Sequence, residues 1–410
     1  MNKTEPAIVV VTYNRPKSLT RLLNSIANAN YDTFEDIVLV ISIDGGSPTE
    51  MQEIADNFDW YYGKKVVIVQ PINLGLRKHI IACGDLTETY GSVIILEDDL
   101  FVSPNYYDFT SNAINFYQEE KKIAGISVFS YNQNEYEGLP FVPLKDKYDT
   151  FFMQIPSSWG QAWTKLQWQS FKEFYNTAQI LNTDKLPETV KSWPESSWKK
   201  YFYKYLVDKD LYFVYPYIAY STNFGDVGTH FDNTTNMFQV PLALETKKNE
   251  YAFNTFQNSN VKYDAYFELL PECLKKMGIL TDKDFCVDVY GGKQLDLFDN
   301  QYCISTKECL NPIESFGVNL VPIENNIIHN VLGNTVFFAN KKDFKTVKPL
   351  QTSFKIVSTY SNVAFTMGTY NGIRKGEENI RASKIYKIGK LIELLIHPSN
   401  IIGTLRRKFK

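Results

Sequence analysis

The chain has 410 residues, of which 44% are hydrophobic and 15% aromatic, and its formal net charge is -3. This composition supports a packed core and allows either one large catalytic domain with an appendage or two domains. It argues against a general nucleic-acid binder, because no overall surplus of basic residues would release counterions from a phosphate backbone. Five scattered cysteines without a CxxC pair indicate reduced thiols in a cytosolic compartment.

The N-terminal stretch reaches a polar turn after only a few apolar residues, which is too short for a signal peptide or a membrane span. No later segment reaches about 18 uninterrupted apolar residues, the rough minimum for a spanning helix. We therefore expect a cytoplasmic protein that contacts a membrane at most peripherally, on its inner face.

Short apolar runs alternate with helical periods from residue 7 onward. Runs typical of buried strands occur at 7–12, 37–43, 65–70 and 92–97. Between the first two, apolar residues recur at the i, i+3, i+4, i+7 spacing of an amphipathic helix: Leu19, Leu22, Leu23 and Ile26. The pattern predicts an α/β fold around a mostly parallel sheet with right-handed crossovers.

Each predicted strand ends in polar residues, and ligands of such sheets bind beyond the carboxyl ends of the strands. The polar segments are Thr12 to Arg15, Asp44 with two glycines, Asn73 to Arg77, and Glu97 to Asp99. Three consecutive carboxylates repel one another and oppose burial, so we expect a positive partner beside them. A Mg²⁺ or Mn²⁺ ion bound to a diphosphate fits this chemistry, and a solvated acidic turn is the alternative.

Four motifs in this order resemble inverting nucleotide-sugar glycosyltransferases of the A-type fold: VVVTYNRPKSLTRLLNSI, SIDGG, NLGLRKHI and VIILEDDLFVSPNYYDF. The EDDL form of the acidic motif is similar to the N-acetylglucosaminyltransferase I family and to family 2-like bacterial transferases that build surface polysaccharides. The resemblance covers residues 7 to about 235. It implies a Rossmann-like glycosyltransferase fold, with a smaller accessory region following it.

The resemblance also implies roles for individual residues on the donor side. Thr12, Tyr13, Asn14 and Arg15 would cradle the base and ribose, and Asp44 would contact the nucleoside. Arg77 would approach the diphosphate, Glu97 and Asp98 would hold ribose and donor sugar, and Asp99 would bind the metal. The local alternatives are a core aromatic for Tyr13, a turn residue for Asn14 and a cap before the glycines for Asp44.

On the acceptor side, Trp159 resembles the tryptophan of a loop that closes over the donor. His230 would complete the metal shell or touch a phosphate, with a structural histidine as the alternative. An inverting transferase needs one general base and no covalent nucleophile. The relatives' Asp is replaced here by Ser196, so the candidate bases are Glu195 and Asp226; Glu195 is equally well explained as a helix-start acid.

The predicted organisation places the catalytic domain at 1–240, with a nucleotide-sugar half at 1–120 and an acceptor half at 121–240. An accessory region follows at 241–380. The last segment, 381–410, is basic, with an apolar helical stripe. This segment is expected either to lie on an anionic membrane or to be an ordinary docking helix.

The expected function is transfer of a sugar from a nucleotide-diphosphate sugar, with a UDP-sugar fitting the eukaryotic relatives, to a glycan or lipid-linked acceptor. A sugar-nucleotidyltransferase is the first alternative, although TYNRPKSL lacks the glycine-rich loop that a triphosphate would need. The second is a non-catalytic glycan-binding protein on the same fold, which Ser196 favours and the intact acidic triplet opposes.

Overall fold

The computed structural model describes residues 5–177, 183–226, 236–244, 250–278, 282–360 and 383. The chain forms two compact units, Met1–Pro349 and Leu350–Lys410. The predicted 381–410 segment, apart from Ser383, lies outside the described residues. Within the described part of the chain, no helix is both long and apolar enough to cross a bilayer.

The strands are, in chain order, β1 (Ala7–Thr12), β2 (Leu39–Ile43), β3 (Lys65–Val69), β4 (Ser92–Glu97), β5 (Leu100–Val102), β6 (Ile123–Ser127), β7 (Gln133–Asn134), β8 (Leu139–Pro140), β9 (Thr150–Met153), β10 (Gln161–Thr164), β11 (Tyr212–Pro216), β12 (Ser221–Asn223), β13 (Lys262–Tyr263), β14 (Phe285–Asp288), β15 (Tyr302–Ser305), β16 (Glu314–Phe316) and β17 (Val336–Asn340).

The α-helices are α1 (Pro16–Ala27), α2 (Thr49–Asn57), α3 (Gly75–Gly84), α4 (Thr87–Tyr90), α5 (Tyr106–Tyr117), α6 (Lys165–Thr177), α7 (Glu188–Ser192), α8 (Trp198–Lys209), α9 (Pro271–Lys276), α10 (Glu324–Ile328) and α11 (Leu350–Tyr360). The last of these belongs to the second unit, and all the others belong to the first.

Among the described residues, nine strands form the central sheet in the order β13-β9-β11-β6-β10-β4-β1-β2-β3. Parallel ladders join β1 to β2 and β4, β2 to β3, β6 to β11 and β9 to β13. All six residues of β1 are buried, as expected for a parallel strand covered on both faces. The prediction of an α/β fold with a mostly parallel sheet is confirmed.

The predicted amphipathic helix is confirmed as α1. It begins with Pro16 at a position where the missing N–H costs nothing. The predicted apolar stripe from Leu19 to Ile26 is fully buried against the sheet in the main hydrophobic core. This packing fixes the loop between β1 and α1, which carries the first predicted site residues.

The acceptor half adds strands that the sequence pattern did not reveal. β10 lies between β4 and β6 and is antiparallel to both, so the loop that precedes it reaches the edge where β4 and β6 end. Every residue of β9, β10 and β11 is buried, which removes the apolar-polar alternation. Unlike β1, these short strands do not form a continuous aliphatic run, because they include residues such as Thr150, Gln161 and Pro216.

Beyond residue 240, β13 pairs with β9 at the border of the central sheet. A separate four-stranded sheet follows in the order β14-β15-β17-β16. The 241–380 accessory region stays a prediction, and β13 shows that one of its strands extends the central sheet.

Candidate active site

The carboxyl ends of β1, β2, β3, β4, β6 and β11 lie at one edge of the central sheet, together with the amino ends of β9, β10 and β13. The loops that leave these ends carry the predicted donor-side residues. Open parallel sheets bind ligands at this edge.

Asp98 is the most firmly fixed acid of the triplet. The Thr12 hydroxyl donates to Asp98 Oδ2 at 2.7 Å, and the Tyr13 amide donates to the same oxygen at 3.3 Å. Arg15 pairs with Asp98 Oδ1. The loop predicted to cradle a nucleotide therefore uses two side chains and one amide to hold Asp98, whose side chain is 1% exposed.

Arg15 also reaches the last acid of the triplet, with Nη1 3.0 Å from Asp99 Oδ2. One guanidinium thus bridges two neighbouring carboxylates. Burial raises the pKa of Asp98 to about 6 even though Arg15 opposes the shift. Burial, followed by repulsion from Asp99, raises the pKa of Glu97 to about 8. The positive partner expected beside the triplet is supplied at least partly by the chain itself.

One oxygen of Asp99 has no hydrogen-bond partner in the protein. Its Oδ1 is buried and has no hydrogen-bond partner, whereas Oδ2 is taken by Arg15. A buried carboxylate oxygen without a donor is costly unless something binds it. This atom is where a cation or a sugar hydroxyl could add to the site.

Asp44 organises the neighbouring loop. Its Oδ1 accepts hydrogen bonds from the amides of Gly45 at 2.9 Å and Leu74 at 2.8 Å, and Oδ2 accepts from the amide of Gly75 at 3.0 Å. Gly75 begins α3, so the Asp44 carboxylate also interacts favourably with the positive N-terminal end of the helix dipole. The cap reading of Asp44 is supported, and its contact with a nucleoside stays a prediction.

Tyr13 and Asn14 occupy the tip of the β1–α1 loop. The core-aromatic alternative for Tyr13 is wrong, because the residue is 41% exposed. Asn14 has a φ of 51°, in the left-handed region that asparagine tolerates, as the turn alternative expected. An exposed ring at the sheet edge is free to stack on a base.

Arg77 lies beside Glu195. Its Nη1 donates to the Glu195 carbonyl at 2.5 Å and to the Tyr201 hydroxyl at 2.9 Å. The Glu195 carboxylate accepts from Tyr201 at 2.7 Å and pairs with Lys200 at 3.1 Å. These hydrogen bonds, from Tyr201 first and then Lys200, lower the pKa of Glu195, which makes it a weaker base.

Asp226 is held against α1. Ser18 donates to it at 2.7 Å and Arg21 pairs with it. Burial acts to raise the pKa of Asp226, but these partners outweigh it and hold the pKa below its usual value. The segment before it is close to the acidic triplet, since the Phe224 amide donates to the Asp99 carbonyl at 2.9 Å.

Trp159 lies just before β10, with its ring packed on Phe129, Tyr131 and Phe238. His230 lies outside the described residues. The sequence analysis missed Lys199, whose ammonium lies 5.3 Å from the centre of the Trp159 ring. The signal that could have identified Lys199 is its position among aromatic residues in SSWKKYFY, because lysine ammonium groups bind to aromatic rings.

The family described as Glycosyl transferase family 2 matches residues 7–163. This confirms the family 2-like resemblance over that range. The link to N-acetylglucosaminyltransferase I stays a prediction. No curated protein matches the chain.

Several solved structures are similar over part of the chain. S. aureus TarS 1-349 in complex with UDP-GlcNAc is 18% identical with a TM-score of 0.38, over 55% of this chain and 60% of that one. A Pyrobaculum calidifontis mannosyltransferase in complex with GDP-Man and Mn²⁺ is 11% identical with a TM-score of 0.28, over 41% and 46%. GalNAc-T7 with UDP, GalNAc and Mn²⁺ is 14% identical with a TM-score of 0.37, over 53% and 43%. The chain spans less than two thirds of each of these proteins.

Proposed function

We propose, from the family 2 glycosyltransferase match over residues 7–163, that this protein transfers a sugar from a nucleotide-diphosphate sugar to a hydroxyl acceptor. The observation that carries the proposal is the fixed acid pair at the end of β4. Asp98 is held by Thr12 and Arg15, and Asp99 has one buried oxygen without a donor. This arrangement suits a donor that brings both phosphates and hydroxyls.

A divalent cation, Mn²⁺ or Mg²⁺, fits Asp99 Oδ1. Within the described residues, no group of three or more His, Cys, Asp or Glu side chains is arranged to hold a metal alone. A site with a single protein carboxylate is compatible with Mn²⁺ or Mg²⁺, because these ions usually take only one or two carboxylates and complete their shell with substrate phosphates and water. When bound, the cation would neutralise charge on the departing diphosphate.

Other side chains at the carboxyl edge of the central sheet would bind the base, the phosphates and the sugar of the donor. The exposed Tyr13 ring would stack on the base, and we propose uracil as that base. Arg77 has a guanidinium suited to phosphate oxygens. Trp159 covers the donor sugar. Direct transfer to the acceptor inverts the anomeric centre and needs a carboxylate base on the acceptor side.

We further propose a glycan or lipid-linked acceptor in surface polysaccharide synthesis. This part rests on the resemblance of the acidic motif and on the basic character of 381–410. Contact of that segment with an anionic membrane would bring the site to a lipid-linked substrate.

Calorimetric titration of UDP, GDP, dTDP and their sugar conjugates, with and without Mn²⁺, tests this function. We expect one nucleotide family to bind in the presence of metal and to lose most of its affinity in chelator. Asp99→Asn should remove the metal-dependent part, because it takes away the negative charge of the carboxylate that carries the unpaired Oδ1.

Asp56→Asn is the matched control, since Asp56 is an exposed acid of α2 and has the same change of charge. Binding of no nucleotide, together with binding of an oligosaccharide, would overturn the enzyme proposal in favour of a glycan-binding protein.

A further inference from the structure

A buried lysine lies among aromatic rings on the acceptor side of the sheet edge. Lys199, in the first turn of α8, has its Nζ 5.3 Å from the Trp159 ring centre, 5.5 Å from that of Trp193 and 6.0 Å from that of Tyr203. Its side chain is 10% exposed. Ring faces compensate part of the lost hydration of an ammonium, but a buried cation also needs an anion.

Glu135 supplies this anion. Its Oε1 lies 3.6 Å from Lys199 Nζ and accepts a hydrogen bond from the Tyr131 hydroxyl at 3.4 Å. The Lys199 ammonium also donates to Tyr131 at 3.3 Å. The Glu135 side chain is 14% exposed, so the carboxylate is sheltered from bulk water but still reachable.

The position of Glu135 follows from the sheet. It lies in the turn of the β7–β8 hairpin, in the segment that leaves the carboxyl end of β6. Because β6 and β4 point the same way on either side of β10, this segment leaves the sheet at the same edge as Glu97 to Asp99. The charge of Lys199 also acts on Glu97. Glu135 therefore lies in a segment that leaves the sheet at the same edge as the proposed donor site.

The hairpin that carries Glu135 is firmly held. The buried Asn134 side chain accepts hydrogen bonds from the amides of Tyr136 at 3.0 Å and Glu137 at 3.3 Å. Glu137 in turn faces Lys348 at 3.5 Å. A carboxylate on such a turn has a defined place, which a group that accepts a proton during bond formation requires.

The two bases expected from the sequence fit this task less well. Glu195 has a side chain that is 69% exposed, so its carboxylate is not sheltered from bulk water. Asp226 is bound to Ser18 and Arg21 on α1. Glu135, by contrast, has a side chain that is only 14% exposed, and its partner Lys199 contacts the rings of Trp159 and Trp193.

We propose that Glu135 is the general base that takes the proton from the acceptor hydroxyl, an inference that rests on the proposed glycosyltransferase function. Lys199 is its positioning residue, and the partly exposed rings of Trp159 and Trp193 hold the acceptor sugar. The acceptor oxygen bonds to the anomeric carbon as its proton passes to a Glu135 oxygen. The bond from that carbon to the diphosphate oxygen breaks, and its electron pair leaves with the nucleoside diphosphate. Glu135 then returns the proton to water.

The test measures release of nucleoside diphosphate from UDP-GlcNAc, UDP-glucose, UDP-galactose and GDP-mannose with Mn²⁺, using water and p-nitrophenyl hexosides as acceptors. Glu135→Gln should lower the turnover of the accepted donor by roughly 10²–10⁴-fold, the usual contribution of a general base. Donor affinity by calorimetry should stay unchanged. Glu135→Asp should recover part of the rate, and Glu53→Gln, a control at an exposed acid of α2, should keep it.

The pH profile separates a base from a structural acid. The titratable groups that face Glu135 are Tyr131, Lys199, Tyr203 and Tyr215. Lys199→Gln removes the ammonium that stabilises the carboxylate, so the acidic limb of the rate profile should move to higher pH. The tyrosines stay neutral in that range, because burial raises the pKa of each of them.

The experiment distinguishes failure of the glycosyltransferase function from failure of the Glu135 assignment. If the wild-type chain binds none of the nucleotide sugars, the glycosyltransferase function fails and the base assignment falls with it. If the wild type binds a donor but transfers to neither water nor hexosides, the transferase function fails as well. If the wild type transfers the sugar and folded Glu135→Gln does so at the same rate, the assignment of Glu135 alone is overturned.

Discussion

At the residue scale, Arg15 decides how three adjacent carboxylates are accommodated. Its guanidinium contacts both Asp98 and Asp99. An arginine fork matches two carboxylates better than a lysine would, because it offers several donors in one plane. The acid pair is thereby compensated before any ligand arrives, and a cation at Asp99 would add to an arrangement that is already formed.

Replacing Arg15 should show how much its contacts with Asp98 and Asp99 stabilise the folded protein. Arg15→Gln leaves Asp98 and Asp99 without their cation, so we expect a loss of roughly 1.5–3 kcal/mol in the free energy of unfolding, as for charged hydrogen bonds. Mn²⁺ should restore more stability to this variant than to the wild type. Thermal unfolding with and without Mn²⁺ measures both effects.

Lys17→Gln provides the control, because it removes the same charge from an exposed position two residues away. Equal stabilisation of Arg15→Gln and wild type by Mn²⁺ would contradict a shared site for the guanidinium and the metal.

At the element scale, β10 shapes the acceptor side. An antiparallel strand between β4 and β6 brings its preceding loop to the edge where those two strands end. Gly160 makes this turn possible with a φ of 93°, and a Cβ there would lie 3.0 Å from the Ser221 hydroxyl. The reversal places Trp159 between the donor residues after β4 and Glu135 after β6.

Helix α10 offers a pH test at the same scale. Glu324 begins it and is 2% exposed. Burial raises the pKa of Glu324 to about 7 from an ordinary value of 4.5. The folded state therefore resists ionisation, and stability that is complete below pH 4.5 is lost as pH rises through 7. Glu324→Gln, which stays neutral, should be more stable than wild type at pH 8 by roughly 1–3 kcal/mol, since one pKa unit is worth about 1.4 kcal/mol.

Chemical denaturation at pH 5 and pH 8 checks this expectation, with little difference between the variants at pH 5. Glu314→Gln on β16 serves as the comparison because Glu314 is exposed. An advantage of Glu324→Gln that is as large at pH 5 as at pH 8 would rule out ionisation as its cause.

At the scale of the whole molecule, the proposed site and the basic 381–410 segment belong to different compact units. Met1–Pro349 carries every described residue of the proposed site. The basic 381–410 segment belongs to the second unit, and its role is argued from sequence alone. If that segment binds an anionic surface, the full chain should sediment with phosphatidylglycerol vesicles, weakly with phosphatidylcholine vesicles, and less as salt is added.

A chain ending at Pro349 is the companion sample for this measurement. Nucleotide titration of the same sample shows whether it is still folded. Equal sedimentation of the full and shortened chains would argue that 381–410 is an ordinary docking helix.

The sequence by itself determined the local elements of the donor half. Apolar runs and helical spacing located β1, β4 and α1, because a strand buried on both faces leaves a continuous apolar run and a helix buried on one face leaves apolar residues at helical spacing. Parallel strands that end in polar residues then implied a shared edge. The acidic triplet and its need for a positive partner could also be read directly, since like charges on adjacent residues are visible in any sequence.

Only the tertiary structure decided which groups meet. Arg15 and Asp99 are 84 positions apart, and Tyr131 and Lys199 are 68 apart. No local pattern encodes such contacts, because they depend on the direction and order of strands in the sheet. The antiparallel insertion of β10 is the clearest case: its buried residues gave no alternation, yet its direction brings Trp159 to the site.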